Sequence, residues 1–239
     1  MESLVQILES RRHPSGEKGE ILKPARRGNL SESSEFNPPI WVLNCEDDSR
    51  RDETEDACIY RPAPGLTVNN LTTGKTFILP AIQLISRIDS SDQIFLFCAS
   101  TEHSSHLNKK FEAYGCVKIS NVNEFTNRLQ ARVTDYARRN KWPNEMMLSE
   151  AVGYYDPTDT PGTRHACPDQ IIMTKPQKFA DEREFRFAVV ADKSLLEVNN
   201  TQYSISTETN SSMGKSNHLT LQLGSLTDIC EIVTTDATE

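Results

Sequence analysis

The longest periodic pattern in the chain is helical. Between residues 122 and 141, large apolar side chains recur at spacings of four, four and three, which places them along one face of a helix. Asn121 or Asn123 offers a side-chain oxygen that can cap the first turn. The pattern therefore predicts a helix over residues 122–141, with a buried stripe made of Phe125, Leu129, Val133 and Tyr136.

Most other apolar segments are short and bounded by Gly, Pro or charged residues, which favours strands. Residues 77–88 differ, because they mix both periods around Pro80, and we expect a helix that begins near this proline. The sequence therefore predicts a strand-rich α+β domain with one or two packed helices. The predicted strands are residues 40–43, 57–61, 93–99, 116–120, 184–191, 202–206, 219–223 and 229–234.

The chain divides into a polar leader and one folded domain. Residues 1–36 are rich in Ser, Gly, Pro, Glu, Lys and Arg, so we expect this leader to be disordered. A flexible, Ser-rich N-terminus is typical of bacterial effectors exported by contact-dependent secretion, although an ordinary unstructured terminus has the same composition. Residues 37–239 are predicted to form a single domain, in which the Pro- and Gly-rich segment 153–170 is a candidate functional loop.

Composition and charge exclude several classes of function. The formal net charge of -8 repels phosphate backbones, so we expect no non-specific binding to nucleic acid. No run approaches ~20 apolar residues, so no membrane span is predicted, and the N-terminus lacks the apolar core of a Sec-type signal. The six cysteines include no CxxC pair, which argues against a zinc site and favours free thiols in a reducing compartment.

The segment 178–190, KFADEREFRFAVV, holds the strongest candidate for chemistry. From Glu184 onward it alternates, with Phe185 on one face and Glu184 and Arg186 on the other. If the strand extends back to Glu182, the two carboxylates share a polar face. Carboxylates held side by side raise each other's pKa, which suits acid–base catalysis or the stabilisation of a developing cation.

A Glu-x-Glu pair that opens a strand late in the chain resembles the catalytic motif of bacterial toxin-type ADP-ribosyltransferases. The resemblance implies a split-sheet domain that binds NAD in a cleft and transfers ADP-ribose to a host protein acceptor. It implies that Glu184 stabilises the oxocarbenium-like transition state and that Glu182 positions or deprotonates the acceptor. An effector of this kind is secreted by a non-Sec route into the host cytoplasm; otherwise we expect a cytoplasmic protein.

Two upstream segments lie in the chain order that this family implies. Tyr60-Arg61 ends a predicted strand and resembles the first NAD-binding strand, in which Arg61 holds phosphate or ribose. Ser100-Thr101 resembles the end of the central strand, whose hydroxyl groups support the NAD ribose and the Glu. The chain departs from the family here, because Ala99-Ser100-Thr101 stands in place of the usual Ser-Thr-Ser.

An atypical branch of these effector transferases uses a Tyr, an Asn and a Glu, and some of its members modify threonine on host ubiquitin. Tyr60, Asn108 and Glu184 occur in that order along the chain. The resemblance therefore implies Tyr60 as a further catalytic residue, Asn108 as a residue on the cofactor side, and ubiquitin as an acceptor.

The same residues also have a non-enzymatic interpretation. The chain is also similar to small uncharacterised bacterial proteins associated with phage defence. The similarity lies in a strand that ends in Ser or Thr, then an apolar-aromatic helix, then Lys and Phe ahead of Glu-x-Glu-Phe-Arg. In that hypothesis Glu182, Glu184 and Arg186 form an internal ion-pair network in a binding module.

Two further chemistries have less support in the sequence. His103 and His106 flank a helical turn beside Glu102, but no further ligand cluster follows to complete a metal site. His165 and Cys167 are two positions apart on one loop, which is poor geometry for a thiol–imidazole pair.

Overall fold

The structure, a computed structural model, describes residues 6–12, 39–43, 57–62, 65–79, 82–113, 115–159, 161–206 and 215–234. These residues form a mixed α+β fold with strand-rich antiparallel sheets and few helices, as predicted. The helices are α1 (Ser105–Lys110), α2 (Val122–Asn140) and α3 (Pro168–Ile172). The strands are β1 (Gln6–Arg12), β2 (Ile40–Leu43), β3 (Ala57–Tyr60), β4 (Leu66–Asn69), β5 (Thr76–Leu79), β6 (Gln83–Ile88), β7 (Ile94–Ser100), β8 (Gly115–Ile119), β9 (Met146–Ala151), β10 (Gly153–Tyr155), β11 (Thr174–Pro176), β12 (Glu184–Val190), β13 (Thr201–Ser206), β14 (Lys215–Thr220) and β15 (Cys230–Thr234).

The main sheet is built around β12 and β7, which pair antiparallel along the whole of β12. On its other side β12 pairs with β9, whereas β7 also pairs with β1 and β2. The sheet extends outward through β14 on one side and through β8 and β15 on the other. Glu184 therefore begins an interior strand, directly opposite Ser100 at the end of β7.

The long helix predicted from the apolar period is confirmed as α2. Asn121 is its N-cap, because its side chain accepts the N–H of Glu124 at 3.0 Å. Among the described residues, no helix is long and apolar enough to cross a membrane. The predicted stripe packs on the main sheet, with Phe125, Leu129 and Val133 buried and Tyr136 partly buried.

Strand β12 is buried on both faces, and each face belongs to a different hydrophobic cluster. Phe185 and Phe187 lie in the cluster covered by α2. Ala188 and Val190 lie in a second cluster, together with residues of α3 and of a smaller sheet. The predicted alternation is present, but the polar face that carries Glu184 and Arg186 is also buried.

The smaller sheet has the order β13–β6–β3 and covers the second cluster. Between β3 and β6 the chain forms a hairpin of β4 and β5, which have only each other as strand partners among the described residues. A short parallel pair, β10 and β11, lies next to the start of β12. Residues 182–184 lie against the end of β7.

The helix predicted near Pro80 is wrong. The chain forms β5 before this proline and β6 after it, and Pro80 itself lies outside the described residues. β6 pairs with β3 on one side and with β13 on the other. These long-range ladders satisfy the backbone of β6, and a local count of apolar periods cannot include them.

Of the predicted leader, residues 1–36, the structure describes only Gln6–Arg12. These seven residues form β1, which pairs with β14 and, at Glu9, with β7. These seven residues are thus paired in the main sheet, whereas the sequence predicts disorder for the whole of residues 1–36. The rest of the leader lies outside the described residues.

Candidate functional site

The candidate carboxylates lie where a tight turn connects β11 to β12. The turn is a 3-10 helix, Gln177–Glu182, after which Arg183 adopts a left-handed φ of 46°. β12 begins at Glu184, so the strand does not extend back to Glu182. The two carboxylates nevertheless meet, because both contact Lys175 of β11.

Lys175 bridges the two carboxylates. Its Nζ donates to Glu182 Oε2 at 2.7 Å and to Glu184 Oε2 at 3.0 Å. The ring centroid of Phe179 lies 4.7 Å from the same ammonium group. Lys175, Glu182 and Glu184 are all buried, with exposed fractions of 7 %, 8 % and 6 %. Neither carboxylate is therefore presented to solvent as an unpaired anion.

Arg186 occupies the other oxygen of Glu184. Its Nε donates to Glu184 Oε1, and its Nη1 donates to the carbonyl of Ile172 at 2.6 Å. The Arg186 side chain has no exposed surface. The Tyr154 hydroxyl accepts the backbone N–H of Glu184 at 2.9 Å. Both oxygens of Glu184 thus have cationic partners inside the fold.

The network reaches the surface through Lys110 of α1. Its Nζ lies 3.0 Å from Glu182 Oε1 and 2.9 Å from Asp181 Oδ2. His106 Nε2 lies 3.0 Å from the same Asp181 oxygen. These outer groups are partly exposed, so water weakens their attraction relative to the inner pairs. From surface to interior the network consists of His106, Asp181, Lys110, Glu182, Lys175, Glu184 and Arg186.

The hydroxyl residues at the end of β7 hold the turn in place. Ser100 Oγ donates to the carbonyl of Glu182 at 2.8 Å and accepts the N–H of Glu102 at 3.1 Å. Thr101 donates to the carbonyl of Arg183 twice, from its backbone N at 2.8 Å and from Oγ1 at 3.0 Å. Ser100 and Thr101 therefore contact the Glu-x-Glu segment through its backbone, not through its carboxylates.

Two neighbouring cations shift the pKa of Glu184 in the direction opposite to the one expected for a carboxylate pair. Burial raises the pKa of Glu184, but the charges of Arg186 and Lys175 outweigh burial and hold that pKa at about 2, below its ordinary 4.5. Burial lowers the pKa of Lys175, and the charges of Glu184 and Glu182 more than offset this, so the net shift is upward. At neutral pH Glu184 is therefore an anion and Lys175 a cation.

Tyr60 and Arg61 belong to the smaller sheet. The Tyr60 ring is buried, with its centroid 4.9 Å from that of Tyr155 and 4.8 Å from that of His165. Arg61 is exposed, and its Nε donates to Gln83 Oε1 at 3.0 Å. No hydrogen bond, ion pair or ring contact described in the structure joins Tyr60 or Arg61 to the carboxylate pair.

Asn108 lies on α1, two residues before Lys110, but contacts a different group. Its Nδ2 lies 3.1 Å from His103 Nε2, and the His103 ring stacks on Trp41 with centroids 4.6 Å apart. Within the described part of the chain, the structure thus brings two predicted cofactor-side residues to the Glu pair and leaves the other predicted residues elsewhere. Ser100 and Thr101 are beside the pair, whereas Tyr60, Arg61 and Asn108 are not.

The residues that sequence reasoning missed are the lysines. Lys175 precedes Glu182 and Glu184 across a turn that breaks any strand period, and Lys110 comes from a different element. One usable signal was present, because residues 175–186 nearly balance their charges. The basic members are Lys175, Lys178, Arg183 and Arg186, and the acidic members are Asp181, Glu182 and Glu184.

The arrangement determines what Glu184 can do chemically. A carboxylate stabilises a developing cation best when its charge is directed at that cation and is not already neutralised. Here the charge is shared by a guanidinium and an ammonium, both buried. Removing one partner of such a buried set leaves an uncompensated charge, which is strongly unfavourable. The network as it stands fixes β11, the turn and β12 relative to each other.

No protein-family model matches the chain, and neither curated proteins nor solved structures include a significant match. A function for the chain has therefore to follow from the geometry of its own residues.

Proposed function

We propose that the chain is a non-enzymatic binding module, in which Glu182, Glu184, Arg186 and Lys175 form a structural ion-pair network. The observation that supports this proposal is the position of the Lys175 ammonium, 2.7 Å from one carboxylate and 3.0 Å from the other. All four side chains are buried. A substrate could reach either carboxylate only after the network had opened, and opening exposes unpaired charges to a poorly solvated interior.

The hairpin of β4 and β5 is the surface that suits a binding role. Leu71 at its tip is 85 % exposed, and Phe77 and Ile78 are 49 % and 59 % exposed. Successive residues of a strand point to opposite faces, so Phe77 and Ile78 place apolar groups on both faces of the ribbon. The binding role rests on these three large apolar side chains, which one short hairpin exposes to solvent. The partner is a protein with an apolar groove that accepts the hairpin.

A test of this binding surface compares three chains: the wild type, the double variant Leu71→Ser/Phe77→Ser, and Ile232→Ser as a control. Ile232 is also a large exposed apolar residue, at 70 % exposure, but it lies on β15. A partner cross-linked from a lysate is purified and titrated against each chain by calorimetry. The hairpin variant is expected to lose roughly tenfold or more in affinity, because burying a Leu or Phe side chain contributes ~1.5–3 kcal/mol and a tenfold change in affinity is ~1.4 kcal/mol, while the control keeps its affinity. Equal affinity for all three chains would contradict a binding role for the hairpin.

ADP-ribosyl transfer from NAD to a host protein, with ubiquitin as one acceptor, is the second candidate function. The observation that favours it is the proximity of hydroxyl groups to the Glu-x-Glu segment, since Ser100 is the cross-strand partner of Glu184. In this candidate, NAD displaces Lys175 from Glu184 so that the carboxylate can stabilise the ribosyl cation.

The two candidates differ in their response to NAD. The purified chain is incubated with labelled NAD and a eukaryotic lysate, beside Glu184→Gln and the exposed control Glu197→Gln. A labelled protein band that disappears only with Glu184→Gln would establish the transferase and overturn the binding module. Absence of label, together with an unfolding temperature unchanged by millimolar NAD, is the result expected for the binding module, because a ligand that binds the folded state must stabilise it.

A further inference from the structure

Among the described residues, β13 is an outer strand of the smaller sheet. It pairs with β6 on one side, and no strand among the described residues pairs with its other side. Tyr203 and Ile205 on this strand are 51 % and 55 % exposed. An exposed apolar edge with unpaired backbone groups is a template for a further strand.

The strand lacks the features by which proteins commonly protect such an edge. Its sequence, TQYSIS, contains no charged residue and no proline. Its register with β6 runs without a bulge from Thr201 opposite Ile88 to Ser206 opposite Gln83. Charges, prolines and bulges are the usual means of blocking edge-to-edge pairing, and none of them is present in β13.

The backbone orientation of β13 decides which residues can pair outward. The N–H of Asp89, at the end of β6, donates to the carbonyl of Asn200 at 2.7 Å. Hydrogen-bonding groups alternate between the two sides of a strand in an antiparallel ladder. The backbone groups of Gln202 and Ser204 therefore face β6, whereas those of Tyr203 and Ile205 face the open edge.

We infer that β13 pairs antiparallel with β13 of a second copy of this chain, about a twofold axis at Ser204. In this register Tyr203 of each copy lies opposite Ile205 of the other, and these are the residues whose backbone groups point outward. The axis therefore generates two symmetric pairs of backbone hydrogen bonds. Aromatic and β-branched residues are favourable cross-strand partners.

A second copy fits this edge because the strand is complementary to itself. A twofold axis brings identical surfaces together, so any charge near the axis would oppose its own copy. β13 has no charge to oppose. A single strand pair buries less than the ~1,200 Å² of a standard interface, so we expect a reversible dimer whose population rises with protein concentration. This pairing goes beyond the proposed binding function and does not depend on the β4–β5 hairpin.

The sharpest test is a cysteine at the proposed axis. Ser204 would oppose Ser204 of the second copy in a non-hydrogen-bonded pair, where Cα atoms lie about 4.5 Å apart, a distance that a disulfide spans. Ser204→Cys is expected to form a covalent dimer under mild oxidation. No covalent dimer is expected from the matched control Gln202→Cys, in which residue 202 would oppose Ser206. None is expected from the wild type with its native cysteines. Cross-linking no stronger in Ser204→Cys than in these controls would overturn the register.

A second test uses Ser204→Lys, which places two like charges opposite each other across the axis. Ser204 is exposed, so the folded chain tolerates the change. Sedimentation over a range of concentrations should show a dimer for the wild type and a monomer for this variant. A wild type that stays monomeric throughout would overturn the self-pairing even if the hairpin binds its partner. If the wild type forms a dimer and the variant Leu71→Ser/Phe77→Ser still binds the partner protein with normal affinity, the proposed binding surface is overturned. The self-pairing of β13 would then stay in place.

Discussion

Lys175 Nζ and Glu184 Oε2 are 3.0 Å apart across a turn that contains a left-handed residue. Because the same ammonium contacts Glu182 at 2.7 Å, it ties the last residue of the 3-10 turn to the first residue of β12. The ion pairs therefore stabilise a chain reversal, and substitutions at these positions should act first on the stability of the fold.

Replacing Lys175 with Met should strongly destabilise the protein. The change keeps the apolar stem and removes the ammonium, so Glu182 and Glu184 are left facing each other in a buried site. Breaking a buried charge network from one side costs ~3–5 kcal/mol. Urea denaturation measures the loss in the free energy of unfolding.

The matched control for this variant is Lys178→Met, three residues after Lys175 and inside the 3-10 turn. Lys178 is exposed, and its described contact is with the Phe179 ring, 4.5 Å from its Nζ to the ring centroid. Its replacement should cost less than ~1 kcal/mol. Adding Glu182→Gln to Lys175→Met should restore part of the lost stability, because it removes one of the opposed charges. Equal losses for both lysine variants would show that the bridge does not stabilise the fold.

The stability of the protein should fall in acid partly because of Glu184. Its folded pKa of about 2 lies below the ordinary 4.5, so the unfolded chain takes up this proton first as the pH falls. The contribution of Glu184 is therefore complete above pH 4.5 and is lost progressively between pH 4.5 and about 2. The free energy of unfolding in this window should depend more weakly on pH in Glu184→Gln than in the wild type. Identical pH profiles would contradict the ion pairing of Glu184.

Arg183 should tolerate glycine but not a β-branched residue. Its φ of 46° lies in the left-handed region, which glycine adopts freely and which a β-branched side chain strongly disfavours. Its side chain is mostly exposed and approaches Glu102 only at 3.7 Å. Arg183→Gly should stay within ~1 kcal/mol of the wild type, and Arg183→Val should lose ~1–2 kcal/mol in thermal or urea unfolding. A larger loss for glycine than for valine would be inconsistent with this backbone conformation.

The stability of the protein should depend on Asn121, the N-cap of α2, and not on the nearby Asn123. Asn121 accepts the N–H of Glu124, and its replacement by Ala should cost ~1 kcal/mol. Asn123 lies inside the first turn and is exposed, so Asn123→Ala should change stability by less than ~0.5 kcal/mol. Urea midpoints of the two variants compare these losses directly.

Features with a local signal could be predicted from the sequence. The α2 helix followed from one apolar stripe and an adjacent Asn. The place of Ser100 and Thr101 beside the Glu pair was implied only by the resemblance to ADP-ribosyltransferases. The β5–β6 region was mispredicted, because β6 pairs with β3 and β13 from other parts of the chain and β5 pairs with β4, and a helical interpretation of residues 77–88 includes none of these pairings.

The inner part of the candidate site could not be predicted in the same way. Lys175 reaches the pair through a turn whose course depends on the φ of Arg183, and no sequence period reports that angle. Lys110 lies 71 positions from Asp181, with which it pairs. Because these lysines were missed, the sequence left open both a reactive carboxylate pair and an internal ion-pair network, and the fold contains carboxylates paired with cations.

The burial of β12 in both hydrophobic clusters has a consequence for how the protein unfolds. Neither cluster can come apart without exposing one face of this strand, so the two clusters should melt as one cooperative unit. The amides of β12, which pair with β7 and β9, should exchange their hydrogens with solvent only through global unfolding, and should report the full stability of the molecule.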